Sequence, residues 1–310
     1  MTKKIGYACI NMTLSDCFVK NNTIHKVSNK NKIFTNRTLR KNNFSLEKVS
    51  DLILSNVKDL YTICNWNIKN NILLFRVSSE IFPFMDHPEL QYELSELKDY
   101  SEISNWLKLT GDMANSNNLR LTSHPGPYNC LGSPNDYTVE KTILSLEMHR
   151  KLGEYLQQDD FVINVHVGGT YGGDFTNTSM RFCDNFQKLS TQCQKWLTIE
   201  NDDKQSMWSV SKLYNYIHKN ISVPIILDIH HWQFCQDESL EKAFEIALST
   251  WGSRKPKIHY SESALGKRPQ AHSDYIMKKI PDFGGEYDIM IEAKQKEKAV
   301  LDYINKFQNE

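Results

Sequence analysis

Short apolar runs that alternate with longer amphipathic segments recur from one end of the chain to the other. The run at 223–227 is the clearest buried strand, because Val, Ile and Leu surround a single Pro224. The segments between the runs carry hydrophobic residues at helical spacing, as after Ser45, where Val49 and Leu52 begin the pattern. Eight strands are predicted, at 5–10, 72–78, 119–123, 161–167, 196–200, 223–227, 256–260 and 287–291.

Helices are predicted between these strands, and the alternation decides the fold class. One helix follows Ser45, a last helix ends at 307, and the polar segment 20–43 is predicted to be a loop. Strand and helix alternate eight times, which favours an α/β fold of the (β/α)8 TIM barrel type. No linker interrupts the pattern, so a single domain over 1–310 is predicted. The remaining predicted helices are at 94–115, 139–157, 182–194, 209–219 and 240–251.

A carboxylate or an imidazole stands at the carboxyl end of six of the eight predicted strands. Ligands bind at the carboxyl ends of barrel strands, and buried parallel strands tolerate polar residues only where they open to solvent. By the two-residue period of a strand, Asp228 and His230 are predicted to share a face, with His231 past the strand end. The alternative is a set of hydrogen-bonded polar strand ends without a ligand. The six residues are His124, His166, Glu200, Asp228, His259 and Glu292.

Mixed imidazole and carboxylate ligands indicate a metal cluster. They suit Zn²⁺, Mn²⁺ or Fe²⁺ better than Mg²⁺ or Ca²⁺, which prefer oxygen ligands alone. With His231 and His272 there are eight candidate ligands, which is too many for one ion and enough for two or three. Clustered ions are typical of phosphodiester hydrolysis. A single-metal sugar isomerase or epimerase on the same fold needs only about four such ligands and leaves His231 and His272 without a role.

Composition excludes several classes of protein. The 310 residues include 37 basic and 37 acidic side chains, so the chain is not a globally basic nucleic-acid binder, although a local basic groove is compatible with this balance. The seven cysteines are scattered and form no Cys-x-x-Cys pair, which favours a reducing compartment over a disulfide framework. No signal peptide is evident, and no apolar run approaches the ~18 residues of a membrane span. We therefore expect a soluble intracellular protein that is not secreted.

Ten short segments form an ordered set over nearly the whole chain. They are Gly6-Tyr7-Ala8-Cys9-Ile10-Asn11, Asn36-Arg37-Thr38-Leu39, Phe75-Arg76-Val77-Ser78-Ser79, His124-Pro125-Gly126, His166-Val167-Gly168-Gly169, Glu200-Asn201-Asp202, Asp228-Ile229-His230-His231, Pro256-Lys257-Ile258-His259, Ala271-His272-Ser273-Asp274-Tyr275 and Met290-Ile291-Glu292-Ala293-Lys294. In this order they resemble the UV damage endonuclease family, a TIM-barrel family related to endonuclease IV. The resemblance implies a DNA repair enzyme that nicks DNA on the 5′ side of a photolesion without ATP, with manganese as the usual metal.

The same resemblance implies roles for individual residues. Glu200 is expected to bridge two metals and to be catalytic. His87 matches a family histidine close to the cluster, and the alternative is an ordinary loop histidine between Asp86 and Pro88. The three expected metals take their ligands as follows: His124, His166 and Glu200 for the first, Glu200, Asp228, His259 and Glu292 for the second, and His231 and His272 for the third.

Lesion recognition is expected from residues at the barrel mouth, namely Tyr7, Asn11, Pro127 and Tyr128. An aromatic ring there can enter the gap left by a displaced dinucleotide and stack on a base. For Tyr7, ordinary packing is an equal alternative. The chain departs from the family at Pro127, where Gln is usual, so that either Tyr128 alone wedges the duplex or the lesion preference is altered.

Lys257 is a further catalytic candidate. It precedes His259 by two residues, so strand alternation places both side chains on one face and the lysine beside the expected metals. Three roles remain open. Lys257 can pair with Glu292 or Glu262, it can hold the scissile phosphate, or its neutral amine can add CO₂ to give a carbamate ligand.

Several functions compete for this sequence. The first is the photolesion endonuclease, a monomer that acts on double-stranded DNA with two to three divalent metals, Mn²⁺ or else Zn²⁺ or Co²⁺, and with no nucleotide cofactor and no membrane. The second is an abasic-site endonuclease of the endonuclease IV type, and the third is the sugar isomerase or epimerase. A DNA-binding barrel with a dead site predicts at least one lost ligand, and none of the eight is lost.

Overall fold

Ten short strands account for the β-structure in the computed structural model, which describes residues 3–26 and 32–307. Eight of the strands lie in one parallel sheet, and the other two form an antiparallel hairpin. The strands are β1 (Ile5–Ala8), β2 (Cys17–Lys20), β3 (Thr23–Lys26), β4 (Leu74–Val77), β5 (Arg120–Ser123), β6 (Val162–His166), β7 (Leu197–Glu200), β8 (Ile225–Ile226), β9 (Lys257–Tyr260) and β10 (Asp288–Ile291).

The parallel sheet closes into a barrel. Its strand order is β8-β7-β6-β5-β4-β1-β10-β9, and a parallel bridge between Asp228 and His259 joins the two ends. The register sets Glu200 of β7 opposite His166 of β6, so that neighbouring strands deliver their last residues to the same end of the barrel. The predicted (β/α)8 TIM barrel is therefore confirmed, and all eight predicted strands are present.

Eleven α-helices connect and surround the strands within the described ranges. Turns of 3₁₀ helix occur at Lys41–Asn43 and Leu94–Glu96, and a π-helical turn spans Tyr214–His218. The α-helices are α1 (Met12–Ser15), α2 (Leu46–Lys69), α3 (Tyr100–Ser116), α4 (Asp136–Tyr155), α5 (Phe175–Phe186), α6 (Thr191–Trp196), α7 (Val210–Leu213), α8 (Lys219–Ile221), α9 (Ile229–Trp232), α10 (Leu240–Ser249) and α11 (Glu297–Phe307).

Side-chain caps explain where several helices begin. Ser45 accepts a hydrogen bond from the Lys48 amide at 3.3 Å and caps α2, as the sequence predicted. The prediction of one continuous helix at 182–194 was wrong, because the segment contains parts of two helices, α5 and α6. Ser190 accepts a hydrogen bond from the Cys193 amide and starts α6 as a separate helix after α5. The predicted loop 20–43 was wrong at β3, which pairs with β2; residues 27–31 of that loop lie outside the described ranges.

The predicted strand geometry after β8 was also wrong. Asp228 is the N-cap of α9, because its Oδ1 accepts a hydrogen bond from the His231 amide at 2.8 Å. The chain therefore turns helical at Ile229, and Asp228 and His230 do not share a strand face. The His230 ring instead packs edge-on against His272 and Phe234, each with ring centroids 5.3 Å apart.

Buried charges tie the strands together at the amino end of the barrel. The side chain of Asp288 is fully buried and meets Arg120 Nη1 at 3.0 Å and Lys255 Nζ at 2.7 Å. Its Oδ1 also accepts a hydrogen bond from the Lys4 amide at 3.0 Å. Arg120 contacts Asp160 as well, at 2.9 Å. Because these residues come from distant parts of the chain, the network fixes the closure of the barrel at the end away from the polar strand termini.

We expect Arg120→Met to destabilise the fold by about 3–5 kcal/mol, since it leaves the Asp288 carboxylate buried without its full set of partners. Urea unfolding followed by circular dichroism measures the free energy of unfolding. Lys108→Met removes an exposed ion pair with Asp112 and is the control, with little change expected. A midpoint for Arg120→Met equal to that of the control would contradict the prediction.

Candidate metal centre

Glu200, the last residue of β7, lies at the centre of the polar cluster and is buried. Its Oε1 faces His259 Nδ1 at 3.1 Å and His231 Nδ1 at 3.5 Å. Its Oε2 faces His124 Nε2 at 3.3 Å and His166 Nε2 at 4.0 Å. One carboxylate therefore stands between two pairs of imidazoles, which is the arrangement required of a bridging ligand.

Three groups of side chains each bring their ligand atoms within 4.8 Å of one another. Glu200 belongs to two of the groups and Asp228 belongs to two, so the groups overlap and form one continuous cluster. The three groups are His124 with His166 and Glu200, Glu200 with Asp228 and His231, and Asp228 with His259 and Glu292.

Four of the cluster histidines are oriented through Nδ1. His124, His231 and His272 hold Nδ1 against the backbone carbonyl oxygens of Pro125, Asn201 and Glu292, at 3.0, 2.9 and 2.7 Å. A carbonyl oxygen only accepts, so Nδ1 carries the proton in these three rings and donates it. In a neutral ring Nε2 then keeps its lone pair, which is the usual way that proteins prepare a histidine for a metal.

The fourth of these histidines uses a side chain instead of a carbonyl. His166 Nδ1 lies 3.2 Å from Asp202 Oδ1, while its Nε2 faces Glu200. A carboxylate behind an imidazole raises the basicity of the ring and fixes its orientation. His272 is not part of the three groups, but its Nδ1 lies 3.8 Å from Glu292 Oε2 and its ring lies 6.4 Å from that of His231.

Neighbouring positive charges keep both glutamates of the cluster ionised. Burial opposes ionisation of Glu200, but His259 and His166 hold its pKa well below the usual range. Burial likewise opposes ionisation of Glu292, and the charges of Arg76 and His259 lower its pKa. Arg76 Nη1 donates a hydrogen bond to Glu292 Oε1. The site therefore holds anionic oxygens in a region shielded from water, where a divalent cation is strongly attracted.

The residues present fit a group of divalent metal ions. Within residues 3–26 and 32–307, Asp228 Oδ2 and both ring nitrogens of His259 are buried and lack a hydrogen-bond partner. Unpaired buried polar atoms are costly, and a metal ion would satisfy Asp228 Oδ2 together with one ring nitrogen of His259. The donors are imidazole nitrogens and carboxylate oxygens, which suit Mn²⁺, Zn²⁺ or Co²⁺.

Lys257, the first residue of β9, lies fully buried beneath His259. Burial lowers the pKa of its ammonium to about 7, and the charges of Arg76 and Arg120 act in the same direction. Its Nζ has no hydrogen-bond partner among the described residues. The pairing with Glu292 or Glu262 is not formed: Glu292 binds Arg76, and Glu262 accepts from the backbone amides of residues 277 and 278.

His87 lies in the loop after β4. Its Nδ1 accepts a hydrogen bond from the Glu89 amide at 3.1 Å, and its ring lies 6.1 Å from that of Phe84. It belongs to none of the three ligand groups found among the described residues. Its local contacts are those of a loop histidine, and a role in the cluster stays a prediction.

The lesion contact predicted for Tyr7 and Asn11 does not fit their placement. Both residues are completely buried. The Tyr7 hydroxyl donates to Asn67 Oδ1 at 2.7 Å and accepts from Asn11 Nδ2 at 2.9 Å, and the ring packs edge-on against Phe75. Asn11 also caps α1. A ring without an exposed face cannot stack on a base, so ordinary packing, the alternative for Tyr7, describes this pair.

Tyr128 is exposed at the barrel mouth, and its contact with a lesion stays a prediction. It follows β5 at the carboxyl end of the barrel, and 87% of its surface is exposed. Pro127 beside it is exposed as well. The turn is held by Asn129, whose amide and side-chain Nδ2 both donate to the Gly126 carbonyl, at 3.1 and 2.9 Å. A large ring therefore projects from a well-ordered turn at the barrel mouth.

Three residues that position the cluster had no predicted role. Asn164 donates a hydrogen bond to Glu200 Oε2, Arg76 binds Glu292, and Asp202 binds His166. Asn164 precedes His166 by two residues in β6, so strand alternation would have placed it on the ligand face. The link between Arg76 and Glu292 spans much of the chain, and no sequence spacing signals it.

The barrel and its histidine–carboxylate cluster define a class of protein, a TIM barrel with a candidate metal site at its mouth. The chain belongs to the UV-endonuclease UvdE family, whose model matches residues 3–310.

Named relatives agree with this family. The chain is 34% identical to the UV-damage endonuclease of Schizosaccharomyces pombe over 98% of its own length and 51% of the relative. It is 30% identical to the UV DNA damage endonuclease of Clostridium perfringens, with 97% of this chain and 70% of the relative covered. The chain thus spans about half the length of the fission yeast relative.

Solved structures support the fold. The crystal structure of SacUVDE matches with a TM-score of 0.84 at 29% identity and covers 99% of both chains. Endonuclease IV from Thermus thermophilus matches with a TM-score of 0.56 at 13% identity, over 81% of this chain and 93% of that one, and so shares the barrel alone. No helix within the described residues has both the length and the apolar character needed to cross a membrane.

Proposed function

We propose that this protein is a metal-dependent endonuclease that nicks double-stranded DNA on the 5′ side of UV photolesions. The observation that carries the proposal is the cluster centred on Glu200, in which three overlapping ligand groups meet at the mouth of a barrel of the UvdE family. The three groups bring seven candidate ligands together, and with His272 as an eighth they exceed what a single-metal sugar epimerase uses. The site supports phosphodiester hydrolysis better for that reason.

The proposed ligands divide the work of the site. His124, His166 and Glu200 hold a first ion, Glu200, Asp228, His259 and Glu292 hold a second, and His231 with His272 holds a third. When bound, the ions supply an activated water and offset the charge that develops on the phosphate. We favour Mn²⁺, with Zn²⁺ or Co²⁺ as alternatives that the same donors accept.

The chain's own residues orient and shield this chemistry. The Glu200 carboxylate lies between two groups of imidazoles that both contact its negative charge. Asn164 and the facing imidazole rings hold its two oxygens in position. Arg76 holds Glu292 in place and balances its charge. Burial of Glu200, His259 and Lys257 excludes water from the floor of the site, which strengthens every electrostatic contact there.

A nicking assay on three duplexes tests the proposal. One is UV-irradiated, one carries a single abasic site, and one is intact; each is incubated with Mn²⁺ or with chelator. We expect metal-dependent cleavage of the irradiated duplex and positions of cleavage on the 5′ side of the lesion. Cleavage of the abasic duplex alone would identify the endonuclease IV type of activity, and absence of cleavage with full metal occupancy would contradict the proposal.

The remaining proposals concern partners and location. We propose that the enzyme acts as a monomer on DNA, without a nucleotide cofactor and without a membrane. The seven cysteines of the chain, all within the described ranges, are free thiols, which supports a reducing intracellular compartment. Size-exclusion chromatography with light scattering measures the oligomeric state directly, and a dimer would contradict the monomer.

The exposed Tyr128 ring is expected to help the enzyme tell damaged from intact duplex. Stacking on a base is worth ~1–3 kcal/mol, so Tyr128→Ala should lower the ratio of affinities for irradiated and intact duplex by roughly 5- to 150-fold. Fluorescence anisotropy at one fixed salt concentration measures both affinities. Tyr128→Phe keeps the ring and serves as the matched control.

Pro127 offers a second variant in the same turn. Pro127→Gln restores the usual family residue, and we expect it to sharpen discrimination or broaden the set of lesions accepted. An unchanged ratio in Tyr128→Ala would remove this ring from lesion recognition, and no change in Pro127→Gln would show that the neighbouring position is not read.

A further inference from the structure

The loop between β9 and β10 begins with a small hairpin that holds a candidate ligand at its base. Ser263 pairs with His272 in an antiparallel bridge, and the Ala264 amide donates to the Ala271 carbonyl at 2.7 Å. Just outside, the Ser273 amide donates to the Glu262 carbonyl at 2.7 Å. We refer to residues 263–272 as the His272 hairpin.

The tip of the His272 hairpin is an ordered turn. The Lys267 amide donates to the Ala264 carbonyl at 3.3 Å, and the Ala271 amide donates to the Arg268 carbonyl at 2.9 Å. Gly266 has φ of +69°, a left-handed conformation that side chains disfavour. Since His272 donates its Nδ1 proton to the Glu292 carbonyl, the tip is connected to the cluster through a short, hydrogen-bonded path.

The tip carries an apolar side chain that is almost wholly in water. Leu265 is 99% exposed, more than any other large hydrophobic residue of the described ranges. With Met277, Tyr260 and Tyr275 it lines a cavity of about 670 Å³, whose lining also includes Ser273, the residue after His272. A single exposed leucine needs no explanation by itself. At the tip of a hydrogen-bonded hairpin with Lys267 and Arg268 beside it in sequence, however, it has the character of a wedge.

The segment that carries Leu265 is basic. Residues 262–280 contain Lys267, Arg268, Lys278 and Lys279 against two acids, Glu262 and Asp274, so the segment carries four positive charges and two negative charges. The whole chain has a formal net charge of zero. Positive charge concentrated at the mouth of a neutral protein complements the phosphate backbone of a nucleic acid.

The strand that precedes the hairpin lies across the barrel from the strand that precedes Tyr128. In the strand order β8-β7-β6-β5-β4-β1-β10-β9, β5 is fourth and β9 is eighth. In a closed ring of eight strands these positions face each other across the axis. Tyr128 follows β5 and Leu265 follows β9, so the loops that carry these two exposed hydrophobic side chains begin on opposite sides of the barrel.

We propose that the His272 hairpin is a second DNA-binding element, in which Leu265 enters the base stack on the side of the lesion opposite Tyr128 and Lys267 and Arg268 bind the adjacent phosphates. The proposal rests on the proposed function insofar as it takes duplex DNA as the ligand. Apolar wedges flanked by basic residues commonly unstack a base step and kink the duplex. A kink between Leu265 and Tyr128 would present the DNA backbone to the metal cluster. Because His272 lies at the base of the hairpin, DNA binding at the hairpin tip would also affect this proposed metal ligand.

The phosphate contacts are tested by the salt dependence of binding to undamaged duplex. Each phosphate contact contributes ~0.9 to the slope of log affinity against log salt. The double variant Lys267→Gln/Arg268→Gln should therefore lower the slope by about 1.8. The matched control, Lys108→Gln/Lys242→Gln, removes the same charge from exposed positions on α3 and α10 and should leave the slope nearly unchanged.

The wedge is tested with a duplex that carries one thymine dimer and 2-aminopurine in the opposite strand. Binding by the wild type should raise 2-aminopurine fluorescence as the base unstacks. Leu265→Ala should reduce this rise and lower the preference for the damaged duplex. Leu109→Ala, at a partly exposed position on α3, is the matched control.

The outcomes separate this inference from the proposed function. If the wild type does not nick irradiated duplex, the proposed function fails. The salt dependence of DNA binding does not require nicking, so it still tests whether the hairpin contacts phosphates. Slopes equal to the control and a fluorescence rise unchanged in Leu265→Ala would overturn the inference. Metal content measured in each variant distinguishes loss of DNA contact from damage to the His272 site.

Discussion

Glu200→Gln is expected to abolish nicking of irradiated duplex while leaving most of the DNA affinity intact. The amide keeps the shape of the side chain but removes the charge that two groups of imidazoles share. Loss of an outer partner of a metal site costs ~10–100-fold in metal affinity or activity, and loss of a bridging ligand should exceed that range. Phosphate contacts supply much of the affinity for DNA and lie outside Glu200.

Two measurements check this expectation. Single-turnover nicking gives the rate, and elemental analysis of the same protein gives the number of metal ions per chain, which should fall from two or three in the wild type. Glu241→Gln, in the first turn of α10, changes the same chemistry at the surface and is the matched control. Wild-type nicking by Glu200→Gln would exclude this residue as a bridge.

Lys257→Ala is expected to lose nicking activity to a degree similar to that expected of Glu200→Gln. The side chain is fully buried, its Nζ has no partner among the described residues, and it lies beneath His259 and near the charges of Glu200 and Glu292. An amine in this place either holds the phosphate or reacts with CO₂. In the second case a bond forms between Nζ and the carbon, one proton is released, and the resulting carboxylate becomes a ligand.

Lys257→Arg separates the two roles, because Arg keeps the positive charge but does not form the carbamate. Near-normal nicking by Lys257→Arg would eliminate the carbamate. Loss of activity that an added short carboxylate reverses would support it, and so would a carbamate signal in ¹³C NMR of wild-type protein equilibrated with labelled bicarbonate. Full activity in Lys257→Ala would end both roles. Thermal unfolding of each variant shows whether the barrel is intact.

The barrel could be predicted from the sequence because its determinants are local. An apolar run such as 223–227 is suited to a buried strand and to few other structures. The polar residue that follows it must lie where the barrel opens to solvent. Glu200 and His166 illustrate the point, since strand register alone brings them opposite each other. The predicted ligands therefore meet in space even though the sequence contains no distances.

The errors arose where a side chain redirects the backbone or where packing in three dimensions decides burial. Asp228 looked like a strand residue, but its Oδ1 caps α9 and turns the chain helical. Tyr7 was predicted to lie at the barrel mouth. In the structure its hydroxyl is hydrogen-bonded to Asn67, near the C-terminal end of α2, and the side chain is buried. Neither the cap nor the long-range hydrogen bond leaves a pattern in the residues that surround it.

The way the barrel closes has a consequence for how the protein is made. β1 pairs with β4 on one side and with β10 on the other, and two of the proposed ligands, His272 and Glu292, come from the last part of the chain. A growing polypeptide on the ribosome can therefore neither complete its barrel nor assemble the cluster until β10 has emerged. Fragments from premature termination, or from proteolysis before β10, would lack Glu292 and the strand that joins β1 to β9, so on the proposed function they would not nick DNA.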